Sequence, residues 1–274
     1  MAYYVHNLSP FLFEITDNWG IRWYGLAYFL GFLIATYYLR SYQKRGVCHL
    51  TYELQSTLML LIIFGVVGGG RLGYCFFYDW DYFKNNPLIF FNFFNGGMSS
   101  HGGFLGVTFV LYYFAKSKKT SLLSLSDITI TLVPPGLFLG RVANFINGEL
   151  WGKPSNIPWA VIFPNSHKTS AIAEIIPRHP SQLYQAFTEG LLLWLFTQWR
   201  FKKFTVLKKI PSGHISGEFL ILYALFRIFC EQFREPDAAL IIGLSRGSFF
   251  SFFLLFFGFL LILVSNYLHK KKRV

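Results

Sequence analysis

The chain has 274 residues, of which 53% are hydrophobic, 20% are aromatic and only 14% are charged. Charged residues make up about a quarter of an ordinary soluble domain, so this composition excludes such a domain and indicates an integral membrane protein. The formal net charge of +12 does not indicate a nucleic-acid partner, because the basic residues form short clusters between apolar runs rather than one basic face with stacking aromatics.

Seven apolar segments reach or approach the length of about 20 residues that a helix needs to cross a bilayer. They lie at 19–39, 54–77, 98–115, 126–146, 183–199, 215–232 and 247–268. The fourth contains Pro134 and Pro135, so we expect a broken helix whose freed backbone groups are satisfied by protein or water. The predicted fold is an all-α polytopic membrane protein with seven transmembrane helices in a single domain, 1–274.

Basic clusters follow the first, third, fifth and seventh segments and so fall on one side of the predicted bundle. They comprise Arg40, Lys44 and Arg45; Lys116, Lys118 and Lys119; Arg200, Lys202, Lys203, Lys208 and Lys209; and Lys270, Lys271, Lys272 and Arg273. The positive-inside rule makes that side cytoplasmic, which predicts an extracytoplasmic N-terminus and a cytoplasmic C-terminus. The longest loop on the other side, 147–182, is rich in proline and is expected to form a small extracytoplasmic cap.

Several kinds of chemistry have no support in the sequence. The first ten residues lack the basic stretch and short apolar core of a cleavable signal peptide. Cys48, Cys75 and Cys230 are far apart and have no CxxC spacing, so we expect small buried residues rather than a disulfide framework or a zinc site. Metal-binding and phosphate-loop motifs are absent from the sequence, and Ser99 and Ser100 lack a GxSxG context. Neither a metal nor a cofactor is predicted.

The most informative segment is Gly140–Gly152, which ends the fourth apolar run with an arginine, two asparagines and a glutamate. At helical spacing Arg141, Asn144 and Gly148 share one face. A charged side chain inside a bilayer costs roughly 2.5 to 3.5 kcal/mol on insertion scales, so Arg141 is a functional candidate. The alternative is that its long side chain reaches the interface and meets water there.

Other polar residues collect at the same predicted extracytoplasmic ends. They are Arg22, Tyr24, Arg71, His101, Asn147, Glu149, Tyr223, Arg227, Glu231 and Arg234. Tyr223, Arg227 and Glu231 are spaced four residues apart and share one helical stripe. Arg141 and Arg227 are candidates for binding a phosphodiester, because a guanidinium fork matches phosphate oxygens. Alternatively, Arg227 pairs with Glu231 and Arg141 pairs with Glu149, and both pairs only lock helices together.

Histidines supply the candidates for a general base. His101 precedes Gly102 and Gly103, which leave room for a substrate to approach the backbone, and its ordinary pKa suits a base. The alternative is that His101 caps the helix entry. His179 lies just before Ser181, a possible helix N-cap, and His167 lies in a polar loop where we expect it to be solvated.

Small residues four apart predict close helix packing. Three pairs have this spacing: Gly65 with Gly69, Gly102 with Gly106, and Gly136 with Gly140.

Gly140–Gly152 resembles the signature of the bacterial prolipoprotein diacylglyceryl transferases, Gly-Arg-x-(Gly or Ala)-Asn-Phe-x-Asn-x-Glu-x-x-Gly, at every fixed position. The resemblance extends over essentially the whole chain in the expected order. Its further motifs are Trp23-Tyr24-Gly25, Gly96-Gly97-Met98-Ser99 with His101-Gly102-Gly103, Arg178 to Tyr184, Tyr223 with Phe226-Arg227, and Arg234-Glu235-Pro236-Asp237.

This resemblance implies a multi-pass enzyme of the bacterial inner membrane that needs no cofactor. Such an enzyme moves the diacylglyceryl group of phosphatidylglycerol, a membrane lipid, to the lipobox cysteine of a prolipoprotein signal peptide, giving a thioether and glycerol 1-phosphate. It further implies that Arg141 and Arg227 are essential headgroup arginines and that His101 and Tyr24 belong to the reaction centre. The residues implied to line or support the site are Asn144, Glu149 and Tyr223, with Gly102, Gly103 and Glu231 as further substrate-binding candidates.

Arg22 and Gln185 depart from the residues of some family members, so neither receives a catalytic role. Two other classes stay open at this point. A lipid or small-anion transporter would also explain basic residues in a bundle and a broken fourth span. An acyltransferase that uses Cys75 or Cys230 as a covalent carrier is the second alternative.

Overall fold

The computed structural model describes residues 3–16, 19–77, 79–91, 97–166, 175–205, 210–236 and 240–271. The described part is mostly helical. Contacts divide the chain into two compact units, one formed by residues 1–35 and 127–274 and the other by residues 36–126. The single domain and the cap at 147–182 stay predictions.

Ten α-helices and four short strands are present in the described ranges. The helices are α1 (Trp23–Lys44), α2 (Tyr52–Phe77), α3 (Trp80–Asn85), α4 (Ser100–Ser117), α5 (Leu122–Ile130), α6 (Val133–Ile146), α7 (Ser181–Gln185), α8 (Leu193–Arg200), α9 (His214–Glu231) and α10 (Arg246–Lys271). Helical turns of the π type at Ala186–Leu192 and Phe201–Thr205 continue α7 and α8 into one stretch. The strands are β1 (Tyr4–Val5), which pairs in parallel with β4 (Val161–Ile162), and β2 (Phe11–Thr16), which pairs antiparallel with β3 (Trp19–Arg22).

Each of the seven predicted apolar segments contains helix. Within the described residues, three helical stretches are both long and apolar enough to cross a membrane. They are Tyr52–Phe76, Leu122–Ile146 and Arg246–Lys271. These stretches fit the predicted helical membrane protein, while the number of seven spans and the orientation of the termini stay predictions.

Glycines bring α2 and α4 together in the unit formed by residues 36–126. A Cβ atom at Gly69 would lie 2.5 Å from the Gly102 carbonyl oxygen, and one at Gly65 would lie 3.0 Å from the Gly106 carbonyl oxygen. The prediction of close packing is therefore confirmed for the first two glycine pairs.

The third glycine pair behaves differently, in the unit formed by residues 1–35 and 127–274. A Cβ at Gly31 of α1 would lie 3.3 Å from the Gly136 Cα, whereas a Cβ at Gly140 would meet nothing within 4 Å. The prediction of close packing is wrong for Gly140, because only one position of the pair lies at the crossing of the helices.

The fourth predicted span is broken where its prolines indicated. Helix α5 ends at Ile130 and α6 begins at Val133, because Pro134 and Pro135 cannot donate the backbone hydrogen bonds that would continue one helix. The Thr131 carbonyl oxygen, left free by Pro135, accepts a hydrogen bond of 3.0 Å from Gln198 Nε2. A side chain of the same unit therefore satisfies the carbonyl group that the break leaves free, as burial in a membrane requires.

A buried carboxylate holds the start of α9. The oxygens of Asp127 in α5 accept hydrogen bonds from the Gly213 and Ser216 backbone nitrogens at 2.6 and 2.8 Å, and from Ser216 Oγ at 2.8 Å. These contacts satisfy amide groups that a helix N-terminus leaves unpaired. They fix the helix that carries Tyr223 and Arg227.

Residues of the predicted cap are tied to their own unit by backbone hydrogen bonds. The Gly152 nitrogen donates to the His179 carbonyl oxygen at 2.9 Å, and the Lys153 nitrogen donates to the Phe233 carbonyl oxygen at 2.9 Å. The predicted N-cap at Ser181 is wrong: Pro180 occupies the cap position and Ser181 is the first helical residue. Ser181 Oγ instead donates to the Leu150 carbonyl oxygen at 3.1 Å.

Some residues singled out by the sequence lie outside the described ranges. They are Gly96, His167, Lys208, Lys209, Asp237, Lys272 and Arg273. The three cysteines are described, and all three are buried and free, as predicted.

Candidate active site

A fully buried carboxylate stands between the two predicted headgroup arginines. Glu189 lies in the π-helical segment between α7 and α8. Its Oε2 is 3.4 Å from Arg141 Nη2 of α6, and its Oε1 is 3.4 Å from Arg227 Nη1 of α9. Arg141 and Arg227 therefore meet at one acidic residue, Glu189, which the sequence analysis did not name.

The local sequence explains why α6 comes so close to this carboxylate. Gly190 follows Glu189, and a Cβ there would lie 2.6 Å from the Phe138 Cα of α6. Phe138 is one turn before Arg141, so the missing side chain at Gly190 lets α6 approach until Arg141 reaches Glu189. A π-helical turn, a feature that is frequent at functional sites, presents the carboxylate at this contact.

A second acidic residue completes an ion-pair network on α9. Glu231 Oε1 is 2.8 Å from Arg227 Nη2 and 3.7 Å from Arg234 Nη1. A Cβ at Gly247, in the first turn of α10, would lie only 2.5 Å from Glu231 Oε1, so α10 leaves little room beside this pair. The expected Arg227–Glu231 pair is therefore present.

The alternative prediction of an ion pair between Arg141 and Glu149 is wrong. Glu149 Oε1 instead accepts hydrogen bonds from Asn144 Nδ2 at 2.8 Å and from Asn147 Nδ2 at 3.4 Å. Arg141 finds its counter-charge in Glu189, because both lie at the contact of α6 with the π-helical segment.

Asn144 links the arginine to the first helix. Its Oδ1 accepts a hydrogen bond from Arg141 Nη1 at 3.5 Å, and its Nδ2 contacts the Tyr24 hydroxyl as well as Glu149. Asn144 itself is buried. Four of the predicted site residues therefore form one hydrogen-bonded chain that runs from α1 to the end of α6.

Tyr223 joins the same group from α9. It interacts with Arg141, Arg227 and Glu189, and its ring stacks on Phe219 with centroids 6.0 Å apart. One turn separates Tyr223 from Arg227, as the predicted stripe on this helix requires.

Exposure and charge together define what this site can bind. The Arg141 and Arg227 side chains are 18% and 13% exposed, whereas Glu189 is 0% exposed. Three arginines and two glutamates form the ion-pair network, which leaves positive charge in excess. Because the Arg141 and Arg227 guanidiniums are partly exposed and the Glu189 carboxylate is not, the guanidiniums can donate hydrogen bonds to an anion such as a phosphate group.

His101 belongs to the other unit. It is exposed in the first turn of α4, where Ser99 Oγ accepts a hydrogen bond of 3.3 Å from the Gly102 nitrogen. Because Ser99 is the N-cap, the alternative in which His101 caps the helix is wrong. Gly102 is buried against α2, and Gly103 is half-buried. The roles of these three residues at a reaction centre stay predictions.

The remaining predicted outer-leaflet arginines bind within their own units. Arg71 is buried and donates to the carbonyl oxygens of Ile89, Phe90 and Gly97 at 2.6, 3.2 and 2.9 Å. These contacts tie Ile89, Phe90 and Gly97, which precede α4 in the chain, to α2. Arg22 lies over the Phe11 ring, 5.2 Å from its centroid.

His179 lies in an aromatic cluster at the start of α7. Its Nδ1 is 3.2 Å from the Tyr184 hydroxyl, which also accepts a hydrogen bond of 2.8 Å from Trp159 Nε1. Burial lowers the pKa of His179, so the ring is neutral at neutral pH. It supports the packing of this cluster and supplies no charge.

Glu189 is the main residue that the sequence analysis missed. The signal was present, since Glu189 is the only acidic residue in the predicted span 183–199, and an ionisable residue inside a span is a functional candidate by default. Its partners could not be read from the sequence, because they lie 48 and 38 positions away.

The apolar helices and the network of Arg141, Arg227 and Glu189 define a helical membrane protein with a partly buried arginine–glutamate cluster. Residues 10–264 match the family model described as prolipoprotein diacylglyceryl transferase. The chain belongs to this family.

Curated relatives agree over most of their length. The phosphatidylglycerol–prolipoprotein diacylglyceryl transferase of Idiomarina loihiensis is 43% identical over 258 residues, which cover 93% of this chain and 92% of the relative. Proteins of the same name from Oleidesulfovibrio alaskensis and Rickettsia felis are 47% and 41% identical, over 79% and 95% of this chain and 77% and 98% of the relatives. The chain is therefore a membrane transferase of lipoprotein biosynthesis, which removes the transporter and the cysteine-carrier acyltransferase as leading alternatives.

Proposed function

We propose that the protein transfers the diacylglyceryl group of phosphatidylglycerol to the cysteine thiol of a prolipoprotein. The observation that carries this proposal is the convergence of Arg141 and Arg227, from two different helices, on one buried carboxylate at 3.4 Å each. Two guanidiniums fixed side by side are suited to the phosphate of a lipid headgroup. The names of the relatives state the same donor and acceptor.

The reaction balances without a cofactor. The lipobox thiolate attacks the glycerol carbon that bears the phosphate, and the sulfur–carbon bond forms as the carbon–oxygen bond breaks. The phosphate oxygen keeps the bonding electron pair and leaves as glycerol 1-phosphate, and the thiol proton is released to a base or to water. Catalysis therefore requires thiol deprotonation and stabilisation of the charge on the departing phosphate.

Arg141 and Arg227 supply the charge stabilisation in this proposal. Tyr24, Asn144 and Glu149 keep Arg141 in place through their hydrogen-bonded chain, and Tyr223 supports it from α9. Glu231 holds the second guanidinium of the pair.

His101 is the proposed general base, beside Gly102 and Gly103, which leave space for the substrate. Arginine charge near the thiol offers a second route to the thiolate, because a nearby cation lowers a thiol pKa. Measuring transfer by His101→Gln at neutral pH separates the two. Full activity in this variant would rule out the histidine as the base.

We further propose that the protein is a multi-pass enzyme of the bacterial inner membrane with seven spans and an extracytoplasmic N-terminus. Basic clusters between alternate apolar segments support this orientation. The candidate residues then lie in the outer leaflet, where the lipobox of an exported precursor arrives, and residues 147–182 form a cap within a single domain.

The deciding experiment mixes the purified protein with phosphatidylglycerol and a lipobox peptide. We expect a peptide with a thioether-linked diacylglyceryl group and an equal amount of glycerol 1-phosphate, both measured by mass spectrometry. A peptide with serine in place of the lipobox cysteine is the control and should give neither product. If folded protein yields neither product with the cysteine peptide, the proposed function is wrong.

A further inference from the structure

The carboxylate between the two arginines changes the charge that the site presents to a ligand. Glu189 is fully buried, so water does not screen it, whereas both guanidiniums keep an exposed fraction. Glu231 and Arg234 lie within 3.7 Å of one another beyond Arg227, and their charges offset each other. Arg141, Arg227 and Glu189 therefore form a trio with a net charge of one positive unit.

The contacts of Glu189 orient the Arg141 and Arg227 guanidiniums without using all of their hydrogen-bond donors. Each Arg–Glu189 distance is 3.4 Å, which is longer than the roughly 2.7 to 2.9 Å of a tight charge-assisted hydrogen bond. A guanidinium has about five N–H donors, so donors remain for a ligand on both side chains. The carboxylate holds together two like charges that would otherwise repel.

This charge distinguishes the substrate from the product of the proposed reaction. A phosphodiester such as the headgroup of phosphatidylglycerol carries one negative charge. A phosphate monoester carries roughly 1.5 to 2 negative charges at neutral pH, because its second pKa is about 6. A pair of arginines with no carboxylate would favour the monoester.

We propose that Glu189 is a positioning residue that determines specificity. Its negative charge matches the arginine pair to a singly charged phosphodiester, and it weakens the binding of the doubly charged monoester product by the same arginines. The inference rests on the proposed function. It assigns to Glu189 both the alignment of Arg141 and Arg227 before the lipid binds and the release of glycerol phosphate after transfer.

Among the residues that the structure describes, few other ionisable groups face Glu189. From α6 the charged group is Arg141, and from α9 the ionisable groups are Tyr223, Arg227 and Cys230. A tyrosine titrates above the pH range of the test, and the burial of Cys230 disfavours its thiolate, so neither group is charged there.

The ionisable groups of α7 and α8 have other partners. Tyr184 accepts a hydrogen bond from Trp159, and Arg200 pairs with Glu218. The groups named here keep their charge from about pH 5 to about pH 8. A change in the ratio of inhibition between variant and wild type therefore follows the charge of the bound phosphate.

The test measures how strongly glycerol 1-phosphate inhibits transfer by the wild type and by Glu189→Gln, at pH about 5 and at pH about 8. We expect inhibition of the variant to be at least about tenfold stronger than that of the wild type at pH 8, since a full unit of nearby negative charge is removed. The difference should shrink at pH 5, where the monoester has one charge. A purely structural role of Glu189 would lower the amount of folded protein without producing this pH-dependent ratio.

Two variants are the controls. Glu218→Gln removes a carboxylate that also pairs with an arginine, Arg200, but lies outside the proposed site, so its inhibition should equal that of the wild type. Glu189→Asp keeps the charge and should retain the wild-type ratio between the two pH values. Equal inhibition of Glu189→Gln and the wild type at pH 8 would overturn the proposal.

A measurement on the wild type covers the case in which Glu189→Gln does not fold. At pH 8 the wild type should be inhibited by the diester glycerophosphoglycerol at least as strongly as by glycerol 1-phosphate. A tenfold or greater preference for the monoester would overturn the proposal. Absence of any transfer by the folded wild type would instead overturn the proposed function.

Discussion

At the residue scale, the candidate site depends on how each charge is paired. Arg141 has Asn144 and Glu189 as partners, and Arg227 has Glu189 and Glu231. The guanidiniums are thus fixed before any ligand binds, which is the condition for stabilising charge in a transition state without reorganisation.

Replacing Arg141 by alanine tests this role. We expect Arg141→Ala to lower kcat by about 100- to 1000-fold, the range found when one donor to a developing negative charge is removed. Arg40→Ala removes an exposed arginine of α1 and should leave transfer unchanged. Loss of activity with unchanged phosphatidylglycerol binding would assign Arg141 to the transition state, whereas wild-type activity would remove it from the site.

The cysteines give a second prediction at this scale. In the proposed reaction the reacting thiol belongs to the substrate, so Cys75→Ala and Cys230→Ala should both retain transfer activity close to that of the wild type. Cys230 Sγ lies 3.2 Å from Thr188 Oγ1 inside the protein, so its replacement is checked for folding by thermal unfolding. Complete loss of turnover in a folded cysteine variant would revive the covalent-carrier mechanism.

At the scale of elements, small residues decide how near the helices come. Gly190 allows the contact of α6 with the segment that carries Glu189, and Gly69 allows the contact of α2 with α4. The spacing of Gly65 and Gly69 and of Gly102 and Gly106 predicted the second contact. Gly190 has no second glycine four residues away, so the glycine spacing did not predict the contact of α6 with the segment that carries Glu189.

Two neighbouring glycines of α2 provide a matched test of this packing. A Cβ at Gly69 would lie 2.5 Å from the Gly102 carbonyl oxygen, whereas a Cβ at Gly68 would meet nothing within 4 Å. We expect Gly69→Ala to destabilise the protein by about 1 to 3 kcal/mol through overpacking. Gly68→Ala should be neutral or slightly stabilising, since alanine favours a helix. Thermal unfolding in detergent measures both, and equal melting temperatures would refute this account of the packing.

At the scale of the whole molecule, the distribution of charge along the chain predicts the topology. Cysteine labelling in a variant without the three native cysteines can test it. We expect a membrane-impermeant reagent to label Trp159→Cys and Asn7→Cys in intact spheroplasts, and Lys119→Cys only after permeabilisation. All three positions are exposed. Labelling of Lys119→Cys from outside would reverse the orientation.

The sequence determined the membrane class, the apolar segments, the break at Pro134 and Pro135, and the two candidate headgroup arginines, Arg141 and Arg227. Each of these follows from local composition or from spacing within one helix, where hydropathy and backbone chemistry act on neighbours. The expected Arg141–Glu149 pair, the N-cap at Ser181 and the packing at Gly140 failed, because each depends on which distant segment comes nearest.

Only the tertiary structure decided that Glu189 stands between Arg141 and Arg227. The three residues come from separate helical segments, and their meeting depends on how α6 and α9 pack on the π-helical turn that carries Glu189. A charged side chain in an apolar span indicates that a partner of opposite charge is needed. Which residue is that partner depends on the packing between segments far apart in the chain.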